Sequence, residues 1–300
     1  MSQETRLQRG ELRYNEPLSG YTTWRVGGPA DQLYSPVDVA DLAAFMARLP
    51  SNEPLLWLGL GSNLLVRDGG FRGTVIALHG ALAEIVRLSG ARVQAGAGAT
   101  CARLARILVR QQLTGGEFLG GIPGTLGGAL ATNAGAFGGH IWELVEEVTT
   151  IDRLGRLRTR TPADYQISYR EVKPAMIHDE EWFIAAMLHL QPAADDAGAE
   201  RIRTLLERRS RTQPIGMASA GSTFRNPEGD YAARLIEASG LKGLREGGAC
   251  VSLMHANFII NTGNATAADI ETLINRIQSR VEELHGVRLI PEVNMVGDSL

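Results

Sequence analysis

Residues 114–139 read TGGEFLGGIPGTLGGALATNAGAFGG, and glycine is far denser there than in the chain as a whole. A regular helix or strand loses backbone entropy under such loading. Yet Ile122, Pro123, Leu126 and Leu130 make the stretch too apolar for a solvated linker. The combination predicts backbone brought close to something and held there. Pro123 fixes one φ angle, and Gly121 and Gly124 beside it can take φ values that other residues avoid. Successive N–H groups in such a turn make a concave nest suited to a phosphate. The alternative reading, a structural glycine-rich loop, stays open for this stretch alone.

A second loop bears on the choice. Residues 58–66 read LGLGSNLLV. Residues 54–58 and 64–66 are apolar enough to be short buried strands, and a glycine turn with Ser62 and Asn63 as donors lies between them. Gly59 and Gly61 give G-x-G, but Leu64 stands at the third position and a strand is expected to follow, so the doubly wound dinucleotide fingerprint is absent. No G-x-x-x-x-G-K-[ST] occurs. Gly124 and Gly128 satisfy G-x-x-x-G without the long apolar helix that would give it meaning.

The order of motifs carries a resemblance. GLGSNLLVRD, GIPGTLGGALATNAGAFGG, ISYR, GSTFRNP and LIPEVNMVG follow one another along most of the chain. Together they resemble the UDP-N-acetylenolpyruvoylglucosamine reductase family. Each motif is weak alone, and their order makes the likeness specific. The resemblance implies an α+β fold: a two-part FAD-binding domain of the vanillyl-alcohol-oxidase type and a C-terminal α+β substrate domain. The expected boundaries are 1–79 and 80–210 for the flavin parts and 211–300 for the substrate domain. It further implies that FAD rests on Gly59, Gly61, Ser62, Asn63 and Leu64 in the shorter loop. In the longer loop it would rest on Gly121, Ile122, Pro123, Gly124, Thr125, Gly127, Gly128, Asn133 and Gly135. Related oxidases often attach FAD through a histidine in the shorter loop; residues 59–64 contain none, so a noncovalent flavin is expected.

Composition bounds the alternatives. Three hundred residues suit two or three domains, and 44% hydrophobic residues can fill their cores. A net charge of −3 and a pI near 6.1 give nucleic acid no footing as a partner. Cys101 and Cys250 build neither a disulfide framework nor a metal site, and the histidines form no metal-binding array, so no metal is expected. MSQETRLQRG has no apolar stretch of the signal-peptide kind, and no run could span a bilayer. A cytoplasmic monomer is the expectation.

Residues 36–49 read as a helix with Asp38 and Asp41 at its start, and 74–78 as a strand. Residues 85–88 and 92–95 form a hairpin around Ser89-Gly90. Thr100 can cap a helix over 101–113 with Arg103, Arg106 and Arg110 on its outer face; Cys101, at its start, is expected to be inert packing. Strands are expected over 144–151, 157–161, 182–190, 257–261 and 287–293. Helices are expected over 200–210, 231–239 with Gly240 beyond the end, and 267–284 capped by Thr266.

The chemistry is expected on a few residues. Taken alone, GSTFRNP is a turn, Tyr169-Arg170 a surface pair and Glu292 a surface acid. GSTFRNP is also no G-x-S-x-G elbow. The resemblance changes their reading. It makes Ser222 the proton donor, Arg170 the group that polarises the substrate carboxylate, and Glu292 its helper in stabilising the enolic intermediate. Tyr169, Arg225 and Asn226 would bind substrate. Guanidinium suits a carboxylate because it stays charged and grips two oxygens. Two departures from the family's usual residues stand out: Val172 where Ser is frequent and Met254 where Lys is frequent. His255 is assigned no catalytic role. The implied reaction uses NADPH to reduce FAD and then reduces an enolpyruvyl UDP-sugar, in peptidoglycan synthesis. The alternatives are an FAD-dependent sugar or lactone oxidase of the same superfold and a non-catalytic flavin-binding protein.

Overall fold

A computed structural model describes residues 9–176 and 180–300. The chain divides into two compact units, each drawn from several segments. Among the described residues, one comprises 9–13, 32–59, 74–176 and 180–208; the other comprises 14–31, 60–73 and 209–300.

The first unit is built on a five-stranded antiparallel sheet. Its spatial order is Leu157–Arg160, Val145–Asp152, Glu181–His189, Arg92–Gly96 and Ile85–Arg87. The alternation of Val93 and Ala95 with polar residues puts one face of the Arg92–Gly96 strand in the core. Two helices pack on that core: α2 (Cys101–Arg110) and α3 (Leu126–Ala131). Thr100 caps α2 as its sequence predicts, accepting from Arg103 N at 3.3 Å, while Leu104 and Leu108 are buried. A smaller core surrounds α1 (Val39–Met46), whose Asp38 cap accepts from Asp41 N at 2.8 Å. Beside α1, Leu55–Leu58 pairs in parallel with Thr74–Ala77. The unit closes with α4 (Gly198–Thr212), which is longer than expected and runs past the unit's end.

The second unit has a three-stranded antiparallel sheet, Arg245–Glu246, Ala249–Val251 and Ile259–Asn261. Two helices, α5 (Ala232–Ala238) and α6 (Ala267–His285), share its core. In α6, Ile270, Leu273, Ile274, Ile277 and Val281 recur at the helical period and are all fully buried. A Thr266–Asp269 capping box starts it and Gly286, at φ +67°, ends it. Asp68 also accepts from Ala267 N and Ala268 N, so it sits on the positive end of α6. Trp24 is wholly buried in this core and donates from Nε1 to Ile259 O at 2.7 Å.

Three expectations need correction. The glycine-rich stretch does contain helix: α3 includes Gly127 and Gly128, because Leu126, Ala129 and Leu130 are buried and their packing outweighs glycine's entropic cost. Leu64–Val66 is a strand, as expected after the glycine turn, but it lies in the second unit and pairs in parallel with Asn294–Val296, not with its sequence neighbour Leu55–Leu58. The last strand is Asn294–Val296; residues 287–293 are held by one bridge, from Pro291 to Phe224, and by buried side chains such as Leu289.

Candidate active site

In the first unit the glycine stretch is pinned by its own backbone. Cys101 N donates to Gly124 O at 3.0 Å, Leu126 N to Ala99 O at 2.8 Å and Gly127 N to Ala97 O at 2.9 Å. Two glycines are needed for this close approach. A Cβ on Gly59 would stand 2.4 Å from Thr125 Oγ1, and one on Gly127 would stand 2.9 Å from Ala97 Cβ. Neither Gly121 nor Gly124 takes positive φ, contrary to the expectation for the flanks of Pro123. That backbone falls instead to Gly115, Asn133, Phe137 and Gly138. The nest is therefore smaller than the sequence suggests, since the Leu126 and Gly127 amides are already spent on carbonyls. Among the described residues, the N–H groups of Gly124, Thr125 and Gly128 donate to no protein acceptor. A Cβ on Gly128 would meet nothing nearer than Thr125 Oγ1 at 4.0 Å. Asn133 is 7% exposed, and its Oδ1 is buried without a hydrogen-bond partner. Adjoining donors, open space and an orphaned acceptor fit a cofactor carrying phosphates and hydroxyls. Cys101 is buried, and burial pushes its thiol up to about 12, so it packs and does not react.

Arg170 lies in the same unit, on a hairpin that sequence inspection misses. Tyr165–Ser168 pairs with Glu171–Pro174, and Tyr169-Arg170 is the two-residue turn. Such a turn normally announces itself with glycine or asparagine, and this one has neither. Arg170 instead adopts φ +57°, a left-handed backbone costing about 1 kcal/mol for a residue with a Cβ. A non-glycine residue held at that cost is a functional candidate. Its guanidinium lies over the Tyr169 ring, with Cζ 5.4 Å from the centroid. Tyr169 is 51% exposed, and Arg170 is half-buried. Asn133 Nδ2 donates to Ser168 O at 3.0 Å, at the base of this turn.

The second unit brings together Ser222, Arg225 and Glu292. Glu292 N donates to Thr223 O at 2.8 Å and Arg225 N to Ile290 O at 2.9 Å, so residues 222–225 and 290–292 run side by side. Phe224 bridges to Pro291 and is almost completely buried, which anchors the pair. Ser222, Arg225 and Glu292 are all half-buried. Asn63, from the shorter glycine loop, donates through Nδ2 to Glu292 O at 3.1 Å, and its own carbonyl accepts from Asn294 N. Gly61 makes this loop possible: at φ +58°, a Cβ there would stand 2.2 Å from Tyr21 O. Ser62 is half-buried and Leu64 is buried as a strand residue.

Asn226 is exposed, and its Oδ1 accepts from Ala232 N at 3.1 Å, at the start of α5. That contact is a helix-capping one, and it occupies the amide oxygen. Sequence reasoning missed Asn257. Its Oδ1 accepts from Phe224 N at 2.9 Å and its Nδ2 donates to Phe224 O at 2.8 Å. It thus grips both backbone groups of the residue two beyond Ser222. The only available signal was that Asn257 is a polar residue in an apolar run. His255 stacks edge-on against Phe258 at 4.8 Å, and burial lowers its pKa. Among the described residues no group of His, Cys, Asp or Glu could hold a metal, and no helix is long and apolar enough to cross a membrane.

Comparison with known proteins shows what the chain is similar to. Residues 213–296 match the UDP-N-acetylenolpyruvoylglucosamine reductase C-terminal domain, and residues 30–160 match an FAD binding domain. The chain is 58% identical over its whole length to the UDP-N-acetylenolpyruvoylglucosamine reductase of Alkalilimnicola ehrlichii, covering 99% of it. It is 55% identical over 97% of its length to that of Methylococcus capsulatus, covering 95% of it. The crystal structure of the Thermus caldophilus reductase superposes with a TM-score of 0.80 at 33% identity, over 96% of this chain and 98% of that one.

Proposed function

Because the chain belongs to the UDP-N-acetylenolpyruvoylglucosamine reductase family, we propose that Ser222, Arg170 and Glu292 are its catalytic residues and NADPH its reductant. The protein is an FAD-dependent oxidoreductase, and it reduces the enolpyruvyl ether of UDP-N-acetylglucosamine to UDP-N-acetylmuramate in peptidoglycan synthesis. The observation carrying the residue assignment is the ladder that sets Thr223 against Glu292, so that Ser222 and Glu292 stand on adjacent segments.

FAD, when bound, supplies the hydride. The unspent amides of Gly124, Thr125 and Gly128 would hold its phosphates, and Asn133 Oδ1 would accept from one of its donors. Gly59, Gly121, Ile122, Pro123, Gly127 and Gly135 shape that wall, and Gly61, Ser62, Asn63 and Leu64 shape the shorter loop. Without a histidine in residues 59–64, the flavin is held noncovalently.

Arg170 grips the substrate carboxylate with a charge that does not titrate and a fork that fits two oxygens. Its attraction grows as negative charge develops beside that carboxylate. Glu292 helps hold the enolic form. Ser222 then gives its hydroxyl proton to the carbon next to the carboxylate; a hydroxyl is a weak acid, so it donates only to a carbon made strongly basic by arriving hydride. Tyr169, Arg225 and Asn226 orient the rest of the substrate. The functional domains divide at 1–79, 80–210 and 211–300, and the enzyme works as a cytoplasmic monomer.

Anaerobic stopped flow on Ser222→Ala tests the assignment. Flavin reduction by NADPH should remain near the wild-type rate. Flavin reoxidation by the enolpyruvyl substrate should slow by about 10²–10⁴, the range for loss of a positioned general acid. Reoxidation at the wild-type rate would remove Ser222 from the chemistry; equal collapse of both half-reactions would make it structural.

A further inference from the structure

Asn133 and Arg170 each keep a left-handed backbone, at φ +42° and +57°, and they stand next to one another through Ser168. Asn133 donates from Nδ2 to Ser168 O at 3.0 Å. Ser168 opens the two-residue turn whose second member is Arg170, and it pairs across the turn with Glu171. Among the described residues, the hairpin Tyr165–Pro174 makes a sheet with no other strand. Tyr165, Ile167 and Val172 pack on the core of the first unit, which fixes the stem. Those contacts leave the tip to be oriented by polar anchors, and Asn133 supplies one at the base of the turn. Asn133 itself cannot drift: it follows α3 directly, its N–H donates to Leu130 O at 3.4 Å, and Ala134 N returns to Ala129 O at 2.9 Å. A 7% exposed side chain with one end committed and the other orphaned is a costly arrangement to keep.

We infer that Asn133 is a positioning residue for Arg170, tying the Tyr169-Arg170 turn to the glycine stretch through the Nδ2–Ser168 O hydrogen bond. The division of its amide explains the choice of residue. The NH₂ end sets the turn, and the oxygen end remains for the ligand of the glycine stretch, so one side chain registers the catalytic arginine against the cofactor wall. Asparagine is also among the few residues other than glycine that readily take its backbone conformation. The inference rests on the proposed role of Arg170, and its test separates the two.

Two variants remove the donor without forbidding the backbone. Asn133→Asp keeps the acceptor oxygens, and Asn133→Gly keeps the left-handed φ. Hydrogen exchange is measured at pH 8 on the flavin-containing protein, following the peptide over residues 165–174. Both variants should exchange there at least about 10-fold faster than wild type. Anaerobic stopped flow on Asn133→Asp, which keeps an acceptor oxygen, should show flavin reoxidation by substrate slowed about 10-fold. In an Arg170→Lys background the further slowing from Asn133→Asp should largely vanish, because both changes act through one contact. Unchanged exchange in Asn133→Asp overturns the inference, as does fast exchange in Asn133→Gly alone. A full, multiplicative loss in the double variant also overturns it. Wild-type reoxidation in Arg170→Lys alone would instead defeat the assignment of Arg170, leaving the exchange result to decide the tether.

Discussion

Asn257→Ala should loosen the segment that presents Ser222. Asn257 is 4% exposed, and its amide satisfies both the N–H and the C=O of Phe224, itself 1% exposed. Truncation leaves two buried backbone groups without partners, at about 1–3 kcal/mol each. Water entering the vacated space recovers part of this, so the net loss should be about 2–4 kcal/mol. The backbone bond from Thr223 N to Asn257 O does not need the side chain and should persist, so the segment shifts and is not released. Urea unfolding followed by tryptophan fluorescence reads the loss; with a slope of about 2 kcal/mol/M, the midpoint moves down by about 1–2 M. The same variant should reoxidise reduced flavin at least about 10-fold more slowly, because a small misplacement of a proton donor is expensive. A stability loss below about 0.5 kcal/mol would show that Phe224 finds other partners. A normal reoxidation rate alongside the expected instability would show that Ser222 is placed by something else.

Other substitutions probe features elsewhere. Arg170→Asn exchanges a strained residue for one that tolerates left-handed backbone; the variant should lose turnover while stability rises by about 0.5–1 kcal/mol, and a melting temperature several degrees lower would contradict the strain argument. Gly61→Ala puts a Cβ where Tyr21 O already stands, at φ +58°; overpacking and backbone strain together should cost about 2–5 kcal/mol, and an unaltered urea midpoint would mean the loop rearranges at no cost. Asp152 has a side chain only 1% exposed; burial opposes its charge, but the backbone of Arg156, its guanidinium and Leu154 N together hold the carboxyl below its ordinary value. Its folded pKa therefore lies below the unfolded one, so its stabilisation is complete above about pH 4 and is lost as pH falls through the folded value. Asp152→Asn should be less stable than wild type at pH 7, with the gap narrowing below pH 4; a gap constant across that range would exclude the linkage.

Local patterns in the chain predict its helices well. Thr100, Thr266 and Gly286 stand where caps are needed, and the apolar spacing of α6 leaves its buried face unambiguous. The hairpin carrying Arg170 was illegible for a physical reason: its turn takes positive φ without glycine or asparagine, so local preference points away from the structure. The glycine stretch misled in a related way. Its glycines read as conformational freedom, whereas Gly127 is there because neighbouring atoms leave no room for a Cβ, as they do at Gly59 in the shorter loop, a tertiary fact invisible to a single-chain pattern. Pairing of Leu64–Val66 with Asn294–Val296 was equally hidden, because periodicity identifies a strand and not its partner. The Ser222, Arg170 and Glu292 assignment came from the order of motifs. Burial and exposure alone would have left Tyr169 and Arg170 as an ordinary surface pair.

That last strand pairing has a bearing on synthesis. Asn63 and Glu292 are joined across 229 positions of sequence. A ribosome emitting the chain from its amino end releases Leu64, Leu65 and Val66 long before their partner exists. All three are buried in the finished protein. For most of translation they form a short apolar β-prone segment without its edge, a recognised hazard for association between nascent chains. This part of the second unit can close only after residues 294–296 have been made, a pairing of high contact order. Chaperone demand during expression should accordingly track residues 60–73, even though nothing in that segment marks it as fragile once the strand is home.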